Sequence, residues 1–200
     1  MSKRIGILGG VAAGKSAVAR AMEARGLLRL DADEVARQVV AEPVVLERLV
    51  ERFGPTILDK NGDLERAALA ALAFSSEAAT ANLNALVHPE VRRRLRAQME
   101  AAGDRPVVLD IPLLLDSPLE ELVDTWVFVE SPEAAREARA AERGWQSGER
   151  ARREDLQASL AAKRARADHV LENRGTIEDL ARSVDTLLSA LGLLVPPPER

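Results

Sequence analysis

The sequence predicts an α/β fold built on a parallel sheet, and three observations predict it. First, a short apolar run, Arg4 to Leu8, leads into a small-residue turn, Gly9-Gly10-Val11-Ala12-Ala13-Gly14, and then into a helix-forming stretch, Lys15 to Arg25. Strand, glycine turn and helix in that order open a parallel α/β domain. Second, Pro106 to Asp110 and Thr125 to Glu130 are apolar runs of the kind that form buried strands. Third, alanine, leucine and arginine dominate the remaining text, which favours helix around the sheet. The 200 residues suffice for one such core plus a modest insertion.

Taken in order, Gly26 is a stop for the first helix, and Leu27 to Leu30 reads as a second short strand ending at Asp31-Ala32-Asp33. Glu34 to Val40 reads as helix. From Pro43 to Ala102 the text is mostly helical, with breaks expected at Gly54-Pro55, Lys60-Asn61-Gly62-Asp63 and His88-Pro89. This stretch is a helical insertion beside the sheet. Ser131-Pro132-Glu133 opens a helix after the third strong strand. Residues 136–166 are rich in arginine and poor in large apolar side chains. Val170 to Asn173 reads as a last short strand, Ile177 to Leu191 as an amphipathic helix, and Pro196 to Arg200 as a frayed tail.

Composition excludes several classes. The net charge of −4 makes no general case for nucleic acid or an anionic membrane. With three Phe, two Trp and no Tyr, few platforms exist for stacking bases. The absence of cysteine removes disulfides and thiol chemistry. The N-terminal apolar stretch is too short for a signal peptide, and no stretch is long enough to span a bilayer. The expectation is a soluble cytoplasmic protein.

Gly9, Gly14, Lys15 and Ser16 match G-x-x-x-x-G-K-[ST]. Small residues let backbone N–H groups turn inward around phosphate oxygens, and the helix that follows adds free N–H groups and a favourable dipole. Gly10, Val11, Ala12, Ala13, Gly14, Lys15, Ser16 and Ala17 are therefore the candidate ATP cradle. Lys15 would reach the β- and γ-phosphates, and the Ser16 hydroxyl would hold a Mg²⁺ bridging them. Strand before and helix after weigh against a chance match. A guanine-reading Asn-Lys-x-Asp is absent, and the strand that would carry a motor's acidic pair ends in one acid, Asp110. A small chain with a helical insertion and an arginine-rich segment fits a nucleotide or metabolite kinase, a P-loop kinase with three layers. A nucleotide-binding module without transfer is the alternative.

The order of Gly9-to-Ser16, Asp31-Ala32-Asp33-Glu34-Val35-Ala36-Arg37, His88-Pro89-Glu90-Val91-Arg92, Asp110-Ile111-Pro112-Leu113-Leu114, Lys163-to-Asp168 and Asn173-Arg174-Gly175 resembles the dephospho-coenzyme A kinase family. The resemblance covers about residues 4 to 190. It implies transfer of phosphate from ATP, with Mg²⁺, to the ribose 3′-hydroxyl of dephospho-CoA. It also implies three parts: a nucleotide core over 1–30, 104–135 and 167–200, a helical CoA-substrate domain over 31–103, and a helical lid over 136–166. The family departs here at Leu8 and Ala17, which stand where threonines are usual, at Ala12-Ala13 in place of Gly-Ser, and at Leu115-Asp116 in place of Phe-Glu.

Candidate site residues follow from pattern and resemblance together. The resemblance marks Asp33 as the group that takes the 3′-hydroxyl proton; by pattern alone it could equally cap the next helix. Arg37, one turn on, pairs with Asp33, holds a substrate phosphate or forms a surface ion pair. His88 is a substrate contact or a turn residue. Within Arg92 to Arg96, Arg92 is the candidate for the substrate's pyrophosphate, and the others fit a solvated face. Pro112 and Leu113 would shape the substrate cleft. Asp110 would face Mg²⁺ through water, or cap the next turn. Segment 136–166 carries nine cations against five carboxylates, a local +4 suited to closing over ATP. Arg139 best matches the family's lid arginine, with Arg143 second. Asn173 and Gly175 match the loop beside the adenine, or form an ordinary turn.

Overall fold

In the computed structural model, which describes residues 3–112 and 114–193, each strong apolar run becomes a strand. The elements are β1 (Arg4–Gly9), α1 (Lys15–Glu23), β2 (Leu28–Asp31), α2 (Ala32–Val39), α3 (Pro43–Phe53), α4 (Arg66–Ala73), α5 (Glu77–Ala101), β3 (Val107–Asp110), β4 (Thr125–Glu130), α6 (Glu133–Glu142), α7 (Glu149–Asp155), α8 (Leu160–Arg166), β5 (His169–Glu172) and α9 (Ile177–Ala190). The chain divides into two units, Met1–Leu30 with Ala102–Arg200, and Asp31–Ala101.

The first unit is built on a five-stranded sheet of order β2-β3-β1-β4-β5. β1 pairs in parallel with β3 on one side and β4 on the other, and β4 pairs in parallel with β5. Ile5 lies opposite both Val108 and Thr125 in this register. The carboxyl ends of β1, β3 and β4 therefore reach one edge, where ligands of such sheets are bound. β3 is buried at every position, as its unbroken apolar text requires. Val18 and Met22 of α1 and Val184 and Leu188 of α9 pack with Ile5 and Val127 into one core, all at 0 % exposure. Each such side chain contributes about 1.5–3 kcal/mol of apolar burial. α9 starts from a capping box, Thr176 with Asp179, and its apolar positions face the core as expected. α8 packs on β1 and β4.

The second unit is helical, with α5 packed on α2, α3 and α4. Val39, Leu49, Ile57 and Leu95 lie at 0 % exposure. The turn at Lys60 to Asp63 is real: Leu58 bridges Leu64, and Asp59 accepts from the N–H groups of Asn61 and Asp63. The break expected at His88-Pro89 is not. α5 runs unbroken from Glu77 to Ala101 with Pro89 inside it. Pro89 removes one N–H donor from the ladder, but it lies on the exposed side, while Val87, Val91 and Leu95 stay buried. Packing along the whole helix outweighs one lost bond. Among the described residues, no helix is long and apolar enough to cross a membrane.

Candidate active site

The loop after β1 has the backbone that its composition requires. Gly14 caps α1 in the left-handed region at φ 96°, and Ala12 lies there too at φ 60°. Ala13 N–H returns to the Gly10 carbonyl, and Ala17 and Val18 N–H to that of Gly14. Among the described residues, no acceptor meets the N–H of Ala12, Gly14, Lys15 or Ser16. Those four donors, at the start of a helix, are an anion cradle.

Lys15 donates to the carbonyls of Gly9 (3.3 Å) and Gly10 (3.0 Å). Burial lowers its pKa to about 8, helped by the charges of Lys163 and Arg143 and opposed by those of Asp110 and Glu154. The Ser16 hydroxyl donates to Asp110 Oδ1 at 3.2 Å. Asp110 ends β3 at 8 % exposure, and its other oxygen accepts from Arg29 of β2 at 2.6 Å. Its carboxylate thus turns to Ser16 and Arg29 rather than capping the next turn. The hard oxygens of Ser16 and Asp110 lie within one hydrogen bond of each other, a donor set that suits Mg²⁺.

Arg139 of α6 reaches the loop. Its Nη1 donates to Ser131 Oγ (2.8 Å) and to the carbonyls of Ala12 and Ala13 (both 3.3 Å). Asn173 is buried after β5, and its Nδ2 donates to the Ala13 carbonyl at 2.8 Å. It braces the loop from beneath and is more than an ordinary turn residue. A Cβ on Gly14 would come within 2.3 Å of that nitrogen. Gly175 is exposed just before the α9 cap, with Asp179 folded back against it. Arg143 is exposed at the end of α6 and lies over Trp145, 5.7 Å from its ring centre.

Of the remaining candidates, Asp33, Arg37, His88 and Arg92 belong to the helical unit. Asp31, not Asp33, is the N-cap of α2, its Oδ1 accepting from Glu34 N–H at 3.0 Å. Asp33 sits exposed in the first turn. Arg37 pairs with Glu34, its Nη2 at 2.7 Å, both side chains more than half exposed, which is the surface-pair alternative. His88 is one turn before Arg92 on α5; partial burial lowers its pKa, as does the Arg92 charge. Arg93 pairs with Glu90 and Arg94 with Glu90 and Glu42, so those two are structural. In the first unit, Pro112 is exposed in the turn after β3, and Leu113 lies outside the described residues.

Three contributors escape a reading of motifs. Arg29 was signalled only by a cation inside the apolar strand text Leu28-Arg29-Leu30. Ser131 falls between β4 and α6. Glu154 of α7 was hidden inside an arginine run. Its Oε1 accepts from Val11 N–H at 3.0 Å and from Arg136 at 2.7 Å; its Oε2 accepts from Arg136 at 2.8 Å and Arg150 at 2.6 Å. Burial works to raise the Glu154 pKa, but the Arg136 and Val11 hydrogen bonds and the two arginine charges hold it below its ordinary value.

A parallel sheet whose first strand feeds a glycine loop, a lysine and a hydroxyl facing a strand-end carboxylate defines a P-loop nucleotide-binding protein. Comparison narrows the class. The family model for Dephospho-CoA kinase matches residues 3–179. The dephospho-CoA kinases of Deinococcus radiodurans and Geobacillus kaustophilus are 43 % and 42 % identical over 193 residues, each match covering 94 % of this chain and 92 % and 96 % of theirs. The crystal structure of TT1252 from Thermus thermophilus superposes with a TM-score of 0.78 at 36 % identity, over 95 % of this chain and 98 % of that one. The chain belongs to the dephospho-CoA kinase family, whose members are ATP-dependent kinases.

Proposed function

We propose that this chain transfers the γ-phosphate of ATP to the ribose 3′-hydroxyl of dephospho-CoA, giving CoA and ADP. One observation carries the site reading: four unspent loop N–H groups, Lys15 and the Ser16–Asp110 pair converge at the carboxyl edge of a parallel sheet. Family membership at about 40 % identity supplies the acceptor.

The unspent N–H groups of Ala12, Gly14, Lys15 and Ser16, within the loop from Gly10 to Ala17, and the Lys15 ammonium bind the β- and γ-phosphates. Ser16 and Asp110 would hold Mg²⁺, which supplies charge neutralisation on the phosphates when bound. Asp33 orients the 3′-hydroxyl and accepts its proton as the new O–P bond forms and the bond to the β–γ bridging oxygen breaks. Arg139 leaves the Ala12 and Ala13 carbonyls to meet the transferring group, and helices α6 to α8 act as the lid. Arg37, His88, Arg92, Pro112 and Leu113 are assigned to the acceptor, with Arg37 released from Glu34. Asn173 and Gly175 are assigned to the adenine side, Asn173 through its bracing of the loop. We place the reaction in the cytoplasm, without nucleic-acid or membrane partners.

The test is ADP release from the purified protein with ATP and a panel of dephospho-CoA, AMP and shikimate. Stimulation by dephospho-CoA alone is the expected result. Stimulation by another acceptor reassigns the substrate. ATP binding without stimulated release would make the chain a nucleotide-binding module.

A further inference from the structure

One N–H of the phosphate loop, that of Val11, already holds an anion belonging to the chain. Glu154 takes the Val11 N–H and both contacts from Arg136, and a Cβ on Gly10 would fall 2.6 Å from Glu154 Oε1 and from Arg136 Nη1. The pair thus presses directly on the loop backbone. A carboxylate and a terminal phosphate ask for the same partners, a guanidinium fork and a free N–H.

The two arginines around Glu154 are not equivalent. Arg150, at 3 % exposure, has three carboxylates: Glu133 at 2.9 Å, Glu137 at 2.6 Å and Glu154. Arg136, at 7 % exposure, has among the described residues only Glu154. Glu154 can therefore leave Arg150 still paired, but it cannot leave Arg136 unless another anion arrives. α7 is also free of an apolar anchor. Its buried residue is Arg150, and Leu156 just beyond it is 85 % exposed. Withdrawing α7 uncovers little hydrophobic surface.

We infer that Glu154 is the resting occupant of the phosphate loop, that the terminal phosphates of the nucleotide displace it, and that Arg136 then passes from Glu154 to the phosphate as a further binding residue. The inference rests on the reading that the loop binds ATP. It gives the enzyme a closed, charge-satisfied state before nucleotide arrives. Apparent affinity is reduced by the fraction of molecules in which Glu154 occupies the loop.

Calorimetric titration with ATP and Mg²⁺ tests it on the full chain. Glu154→Gln should bind ATP about 5-fold more tightly than wild type, or more. Glu154→Asp, which keeps the charge on a shorter arm, should tighten binding in the same direction and serves if the glutamine variant folds poorly. In the Glu154→Gln background, Arg136→Gln should then weaken ATP by about 10-fold, because its partner is the nucleotide. If both Glu154 variants bind ATP as wild type does or more weakly, the displacement is wrong. If Arg136→Gln has no effect once Glu154 is neutral, Arg136 serves Glu154 alone and the transfer is wrong. A wild-type protein that binds no ATP would instead overturn the underlying nucleotide reading.

Discussion

The Ser16 hydroxyl donates to one oxygen of Asp110 while Arg29 holds the other, at 3.2 Å and 2.6 Å. The carboxylate is thereby oriented at the loop before any ligand arrives. Asp110→Asn keeps the volume and removes the charge. Arg29, whose side chain is 15 % exposed, would then face a neutral amide. We expect a loss of about 2 kcal/mol in stability and about 100-fold in kcat. Urea unfolding and a magnesium titration of turnover check the two parts. Unchanged magnesium dependence would remove Asp110 from the metal site.

Lys15 titrates near 8 in the free protein, chiefly because burial penalises its charge. Phosphate beside it favours the charged form and raises that pKa. ATP binding should therefore take up a proton near pH 8, and affinity should fall as pH rises from about 7 to about 9. Titrations in buffers of different ionisation enthalpy measure the uptake, which should vanish in Lys15→Met. Without nucleotide the sign for stability is opposite. The folded pKa lies below the unfolded value of 10.5, so wild type should gain stability over Lys15→Met as pH climbs from about 8 towards 10.5.

Asp31 and Asp33 separate a helix-capping carboxylate from the proposed proton acceptor at the start of α2. Asp31 makes the N-cap bond to Glu34 N–H, so Asp31→Ala should cost about 1 kcal/mol of stability. Asp33 is exposed in the same turn and does not cap the helix, so Asp33→Ala tests turnover rather than the cap. Its kcat should fall by about 100-fold or more. A fully active Asp33→Ala enzyme would remove the proton acceptor assigned to it.

Much of this was legible because period and composition agree locally. β1, β3 and β4 carry near-continuous apolar runs, as strands covered on both faces do. The phosphate loop was legible because its glycines, lysine and serine all fall within the eight residues from Gly9 to Ser16. What stayed hidden depends on distance along the chain. Pro89 reads as a break, yet α5 crosses it because residues far away in sequence cover its inner face. The arginine-rich segment reads as one positive patch, whereas Arg136 and Arg150 are neutralised by carboxylates, one of them 18 residues from Arg136. Sequence counts charges; only the fold pairs them.

Ala12 holds φ 60°, a region that a side chain makes costly. Ala12→Gly removes that strain, although glycine gives back some chain entropy. The expected gain is about 1 kcal/mol, or about 2–4 °C in Tm for a chain of this size. Differential scanning calorimetry decides it. A lower Tm would mean that the Ala12 methyl, 6 % exposed as part of a buried residue, contributes more by packing than the backbone loses.

Gly14 and Asn173 couple the two ends of the first unit. Gly14 is left-handed at φ 96°, and its missing Cβ leaves room for the amide nitrogen that Asn173 gives to Ala13. Gly14→Ala combines two penalties, strained backbone and a contact at 2.3 Å. It should lower stability by about 2–4 kcal/mol and abolish ATP binding, since the cradle N–H groups turn away. Asn173→Ala alone should lose one buried hydrogen bond, about 1–2 kcal/mol. The double variant discriminates between the penalties. It removes the collision but keeps the positive φ, so its loss should be smaller than the sum of the single losses by about 1 kcal/mol or more. Strict additivity in urea unfolding would show that backbone strain accounts for the whole effect at Gly14.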